Sequence, residues 1–93
     1  MSGEAKSEAL AGIEREIQEF LAGRLKTTVP THQDLFATGL VTSMFAMELV
    51  VQLEADYGIA IIGGDLRLDH FRTVERMAEL VTRLREPAAV SHD

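Results

Sequence analysis

One serine stands where its hydroxyl group could carry chemistry. Ser43 follows a turn-forming Gly39 and a threonine, Thr42, and a strongly apolar helical run begins directly after it. A serine at such a junction can cap the helix, which is worth about 0.5–2 kcal/mol, and Thr42 could provide that cap instead. It can also accept a covalent modification, because a junction between a loop and a helix is open to a modifying enzyme.

The start of a helix suits an anionic modification. Its first N–H groups have no partners inside the helix, and the positive end of the helix dipole favours a phosphodiester by about 0.3–1 kcal/mol. A modification of Ser43 through a phosphate group therefore fits its position.

Three histidines, His32, His70 and His92, are the other candidate chemical groups. They lie far apart, and no metal-binding motif or phosphate-binding glycine loop is present. A small hydrolase that uses Ser43 and His32 or His70 stays open as an alternative. It lacks the Gly-x-Ser-x-Gly elbow, however, and the chain is short for building a substrate pocket. We predict no catalytic residue and no metal site.

Length and composition indicate one small soluble domain over residues 1–93. The chain has 46% hydrophobic and 26% charged residues, which is ordinary for a folded protein. Its net charge of −6 argues against nucleic-acid binding, including by a helix-turn-helix. The absence of cysteine excludes disulfides and a protein thiol. Without a signal peptide or membrane span, we expect a cytoplasmic monomer that binds no membrane.

Apolar residues at three- and four-residue steps predict a first and a last amphipathic helix. The first covers residues 8–24, with Ser7 as its N-cap and Gly23 as its stop. The last runs from about Thr73 to Arg85 and ends before Pro87. We expect flexible tails at residues 1–7 and 87–93. The predicted buried stripes are Leu10, Ile13, Ile17, Phe20 and Leu21 in the first helix and Val74, Met77, Ala78, Val81 and Leu84 in the last.

The helix predicted for residues 43–57, with Gly58 as its stop, carries two different stripes. One is a core face of Ala46, Leu49, Val50, Leu53 and Tyr57. The other, nearly opposite, consists of Met44, Met47, Glu48, Val51, Glu54 and Ala55. Exposed apolar groups beside carboxylates are typical of a surface that binds partners. The alternative is that this second stripe packs under the long loop.

The connections complete an all-α prediction. Residues 25–42 form a long first loop with one helical turn at residues 34–37. Residues 59–62 are extended, because no other segment could pair with them as a strand, and Asp65 caps a short helix that ends near His70 or Phe71. The expected fold is a small bundle of three main helices plus one short helix.

Residues 34–44, which read Asp-Leu-Phe-Ala-Thr-Gly-Leu-Val-Thr-Ser-Met, resemble the acyl carrier protein family in their approach to a serine. The acidic second helix, with Glu48-Leu and Leu53-Glu, and the Phe71-Arg-Thr-Val stretch before the last helix extend this resemblance over nearly the whole chain. It implies that Ser43 receives 4′-phosphopantetheine from coenzyme A and that cargo rides on this arm as a thioester.

The resemblance also implies partners: a phosphopantetheinyl transferase, an enzyme that loads an acyl or aminoacyl group, and an acyltransferase or synthase that unloads it. The residues implied to face these enzymes are Thr42, Met44, Met47, Glu48, Val51 and Glu54.

Two departures from the family pattern point away from a fatty-acid carrier. Thr42 stands where an acid often precedes the serine, and the loop after the second helix carries Gly63, Gly64 and Arg67 instead of proline and several acids. Residues 39–46 resemble stand-alone carriers of polyketide or mixed polyketide–peptide (antibiotic) biosynthesis, which is our prediction. D-alanyl carriers have a similar Gly-Leu-x-x-Ser-Met, so a D-alanyl or other aminoacyl carrier is the alternative. A plain protein-interaction module is a more distant one.

Overall fold

The computed structural model describes residues 2–85, with side chains described from residue 8 onwards. It contains three α-helices and, in this range, no strand, which confirms the all-α prediction. The α-helices are α1 (Ser2–Leu25), α2 (Ser43–Tyr57) and α3 (Val74–Arg85), and two 3₁₀ helices cover Gly63–Asp65 and Leu68–Phe71. Over the described residues, no helix combines the length and apolarity needed to cross a membrane. The predicted tail at 87–93, with Pro87 and His92, lies outside the described residues.

The predicted start of α1 is wrong, whereas its predicted end at residue 24 lies within one residue of the observed end, although Gly23 does not stop the helix. The helix begins at Ser2, so Ser7 lies inside it and is not its cap. At the other end it continues past Gly23 to Leu25, because a glycine within a helix costs only about 1 kcal/mol relative to alanine. The helix ends where Lys26 adopts a left-handed φ of 61°, with its N–H donating to the carbonyl of Ala22 at 2.8 Å.

The predicted core faces of the three helices meet in one hydrophobic core. α3 contacts α1, the second 3₁₀ helix and α2. Leu80 of α3 is also buried, although the predicted stripe did not include it. The buried helix residues are Ile13, Ile17 and Leu21 in α1, Ala46, Leu49, Val50 and Leu53 in α2, and Val74, Met77, Ala78, Leu80 and Val81 in α3.

The long first loop is packed down on the bundle. Val29 and Leu35 are buried, and the Leu35 N–H donates to the carbonyl of Arg72 at 2.8 Å. The predicted helical turn at residues 34–37 is present. A carboxylate oxygen of Asp34 accepts the N–H of Phe36 at 3.1 Å and the N–H of Ala37 at 2.9 Å. Backbone groups that a loop would leave without partners are thereby satisfied.

The segment between α2 and α3 departs from prediction in one respect. α2 ends at Gly58 in the left-handed conformation, as predicted, and residues 59–62 are extended. Asp65, however, lies inside the first 3₁₀ helix and does not cap the second, which begins after Arg67 without a side-chain cap. The carboxylate of Asp65 instead pairs with Arg83 of α3 at 2.9 Å, so a contact between elements replaces the local cap.

Candidate functional site

Ser43 is the first residue of α2, and its side chain is exposed. The capping position belongs to Thr42, whose backbone is extended and whose Oγ1 accepts the N–H of Phe45 at 3.1 Å. A serine at this junction could either cap the helix or carry a modification, and the cap is therefore supplied by Thr42. The Ser43 hydroxyl is presented to solvent at the end of a rigid element.

The turn before Ser43 is held by backbone hydrogen bonds. Gly39 has a φ of 78°, a conformation that side-chain-bearing residues rarely adopt, and its N–H donates to the carbonyl of Phe36 at 3.1 Å. Val41 is buried, and its N–H donates to the carbonyl of Leu35 at 3.1 Å. The chain therefore enters α2 from an anchored position.

Arg72 ties this loop to the second 3₁₀ helix. Its guanidinium pairs with Asp34 at 3.2 Å and with Asp69 at 3.1 Å, and it lies over the ring of Phe36. The N–H of Ala37 and the charge of Arg72 lower the pKa of the Asp34 carboxyl below its usual value. This anchor was missed by sequence reasoning, because nothing local pairs residues 34 and 72.

The predicted outward stripe of α2 is open to solvent. Met44 is 79% exposed, Met47 56% and Val51 65%. The alternative that these side chains pack under the long loop is therefore wrong. Three large apolar groups on one face of a helix, next to an exposed hydroxyl, are typical of a surface that contacts another protein.

The two carboxylates predicted to face partners are engaged within the chain. Glu48 pairs with Arg24 of α1 at 2.6 Å, and Arg24 also lies over the ring of Phe45, 4.9 Å from its centre. Glu54 is half-buried and accepts the N–H of Ile61 at 2.8 Å. The role of Arg24 had no signal in the sequence, because its ion-pair partner lies on another helix.

The surroundings of Ser43 fit a phosphate-linked group. The first turn of α2 carries no acidic residue, so no carboxylate there opposes the favourable effect of the helix N-terminus on an anion. His32 lies in the long loop and His70 in the second 3₁₀ helix. The described residues contain no cluster of side chains that could hold a metal ion.

Comparison with known proteins identifies a family that matches this chain. Residues 15–81 match the family described as "Phosphopantetheine attachment site". D-alanyl carrier proteins from three strains of Streptococcus thermophilus are each 36% identical over 53 residues, which is 57% of this chain and 67% of theirs. No solved structure matches.

The family match decides between the alternatives that the residues left open. It covers the long loop, all of α2 and most of α3, and it implies a covalently attached 4′-phosphopantetheine. The protein is a carrier and not itself an enzyme, which overturns the small hydrolase and the plain interaction module. With most of its length matched, the chain belongs to the phosphopantetheine attachment site family of carrier proteins.

Proposed function

We propose that Ser43 is the attachment residue and that the chain holds an acyl or aminoacyl group as a thioester on the attached arm. One observation carries this proposal: Ser43 is the exposed first residue of α2, while Thr42 supplies the helix cap. Modification of Ser43 would therefore leave the hydrogen bond that begins the helix intact.

The chemistry needs little from this chain. The Ser43 oxygen becomes one ester oxygen of a phosphodiester, its proton is lost, and the adenosine bisphosphate portion of coenzyme A leaves. The arm supplies the thiol that forms the thioester, which suits a chain without cysteine. The role of the protein is to hold Ser43 at the N-terminus of α2, where an anion is favoured.

The proposed partners are a phosphopantetheinyl transferase, a loading enzyme, and an acyltransferase or synthase that unloads the cargo. Each must reach Ser43 or its arm. The exposed Met44, Met47 and Val51 on the same helix give these enzymes apolar contact area. We propose that the carrier meets them in the cytoplasm.

For the cargo, we propose an aminoacyl group as the first candidate. The similarity to D-alanyl carrier proteins favours this choice, which was the alternative in the sequence-based prediction. An acyl intermediate of polyketide or mixed polyketide–peptide biosynthesis is the second candidate. It is favoured by the resemblance of residues 39–46 to such carriers and by Thr42 in place of an acid.

The attachment is tested by intact mass. We expect the protein, incubated with coenzyme A and a phosphopantetheinyl transferase, to gain the mass of one 4′-phosphopantetheine, and Ser43→Ala to gain none. Thr42→Asn is the matched control, since it removes the neighbouring hydroxyl but keeps a good capping residue, and it should still gain the mass. A mass gain that survives Ser43→Ala would end the proposal.

The cargo is tested on protein purified from its own organism. Hydroxylamine cleaves the thioester and releases the cargo as a hydroxamate, which chromatography and mass spectrometry identify. Release of an amino acid hydroxamate is the expected result. A carboxylic acid hydroxamate without an amine would instead support the polyketide candidate.

A further inference from the structure

The exposed apolar surface of α2 continues onto the segment that follows it. Leu66 is 45% exposed and Leu68 50%, and both line an apolar cavity of about 80 Å³ together with Met47. These side chains therefore share one surface. We call it the apolar patch and define it as Met44, Met47, Val51, Leu66 and Leu68.

Among the described residues, the cation of Arg67 lies beside this patch. Arg67 is exposed, stands between Leu66 and Leu68, and lines the same cavity. Within residues 2–85 its side chain makes no ion pair, unlike Arg24, Arg72 and Arg83. A cation on an apolar surface favours a partner that brings a carboxylate to it.

The carboxylates closest to the patch along the chain are already engaged. Glu48 is paired with Arg24, Glu54 accepts the N–H of Ile61, Asp65 is paired with Arg83, and Asp69 is paired with Arg72. Although the whole chain carries a net charge of −6, the described carboxylates next to the patch each have a partner within the chain, whereas Arg67 makes no ion pair with a described residue. A protein that presents a basic patch would therefore find few unpaired carboxylates on this surface.

We propose that the enzyme that modifies Ser43 docks on the apolar patch and places a carboxylate against Arg67. This inference rests on the proposed function, because it needs an enzyme at Ser43. Met44 follows Ser43 directly, and Met47 lies about one helical turn further on the same helix. An enzyme that reaches the Ser43 hydroxyl therefore contacts the patch. The methionines supply adaptable contact area, and the pair with Arg67 sets the orientation.

The test compares rates of arm attachment by the phosphopantetheinyl transferase of the same organism. Because arginine is enriched among the few interface residues whose truncation is costly, we expect Arg67→Ala to lower kcat/KM about fivefold. Arg67→Lys keeps the charge and should stay within about twofold. Arg67→Glu should lower kcat/KM at least about tenfold, because it opposes like charges.

A matched charge reversal on another surface provides the control. Arg15 is exposed on α1, outside the patch, and Arg15→Glu changes the net charge by the same amount as Arg67→Glu. We expect Arg15→Glu to leave kcat/KM within about twofold, since it affects only long-range steering. Thermal melting should show all four variants folded, because these arginines are exposed.

Three outcomes would contradict either the proposed function or the inferred docking surface. A wild-type protein that gains no mass would contradict the proposed function itself. Normal attachment that Arg67→Glu leaves unchanged or accelerates would overturn the inference, because an accelerated reaction means that the transferase presents basic groups. A dimer seen in sedimentation that Met47→Glu dissociates would assign the patch to a second copy of this chain and would also overturn it.

Discussion

At the start of α2, Thr42 and Ser43 have different roles. Thr42 has the extended backbone of a cap and accepts the N–H of Phe45, while Ser43 occupies the first helical position with an exposed hydroxyl. In a reactive residue that also capped the helix, modification would turn the capping oxygen into an ester oxygen, which is a weaker acceptor. Here the helix N-terminus keeps its hydrogen bond whatever Ser43 carries.

This division predicts a stability effect at Thr42. Thr42→Ala should lower the free energy of unfolding by about 1 kcal/mol, because it removes the capping oxygen. Thr42→Asp should keep the stability, because aspartate is also a good capping residue. Urea unfolding curves measure both. If Thr42→Ala unfolds at the same urea concentration as wild type, another group caps α2 and the assignment to Thr42 is wrong.

At the scale of the element, α2 separates a core face from an exposed face. Leu49 and Leu53 are buried against the other helices, while Met47 and Val51 on the other face are open. The same rigid helix thus anchors Ser43 through one side and offers contact area through the other. Substitutions on the two faces should therefore have different consequences.

We expect Leu53→Ala to lower the free energy of unfolding by about 2–5 kcal/mol, because it truncates a buried side chain. Met47→Glu should change it by no more than about 0.5 kcal/mol, since the side chain is exposed, but should slow the modification of Ser43. Urea unfolding and the attachment assay together provide the measurement. Equal destabilisation by the two substitutions would mean that the outward stripe is part of the core.

At the scale of the whole molecule, polar contacts between distant segments hold the loops on the bundle. Arg72 joins Asp34 of the first loop to Asp69 of the second 3₁₀ helix. The Tyr57 hydroxyl donates to a carboxylate oxygen of Glu16 at 2.6 Å and so joins α2 to α1. Burial and this hydrogen bond raise the pKa of Tyr57. Of these contacts, the pair of Arg72 with Asp34 holds the loop that leads to Ser43.

The contact at Asp34 predicts a pH dependence. Because the N–H of Ala37 and the charge of Arg72 lower the pKa of Asp34 in the folded state, the ionised carboxylate stabilises the fold above the unfolded pKa of about 3.9. That contribution is lost as the pH falls through the folded pKa. Asp34→Asn should therefore be less stable than wild type near neutral pH.

The measurement is a series of urea midpoints at decreasing pH. The difference between wild type and Asp34→Asn should shrink below about pH 4, as the wild-type carboxyl becomes protonated. Comparing the two proteins at each pH removes the contributions of the other carboxyls. Parallel profiles down to the lowest pH would contradict a lowered pKa at Asp34.

Local sequence patterns were sufficient to predict the helices and to identify Ser43 as the candidate attachment residue. The three-to-four-residue spacing of apolar side chains correctly predicted α2, α3 and their core faces, because a helix buries one stripe whatever it packs against. The predictions that failed concerned the start of α1, its stop at Gly23 and two single polar residues. Ser7 and Asp65 were expected to cap helices, but a potential cap is used only where the chain leaves the helix, and that depends on contacts elsewhere.

The sequence by itself determined the three helices, the position of Ser43 at the start of the second, and the two stripes of that helix. Only the tertiary structure decided which charges on the exposed surface are engaged. Arg24 reaches Glu48 from another helix, Ile61 occupies Glu54, and Arg67 makes no ion pair among the described residues. The physical reason is that helical periodicity is set by neighbours in the chain, whereas ion pairs join residues that only folding brings together.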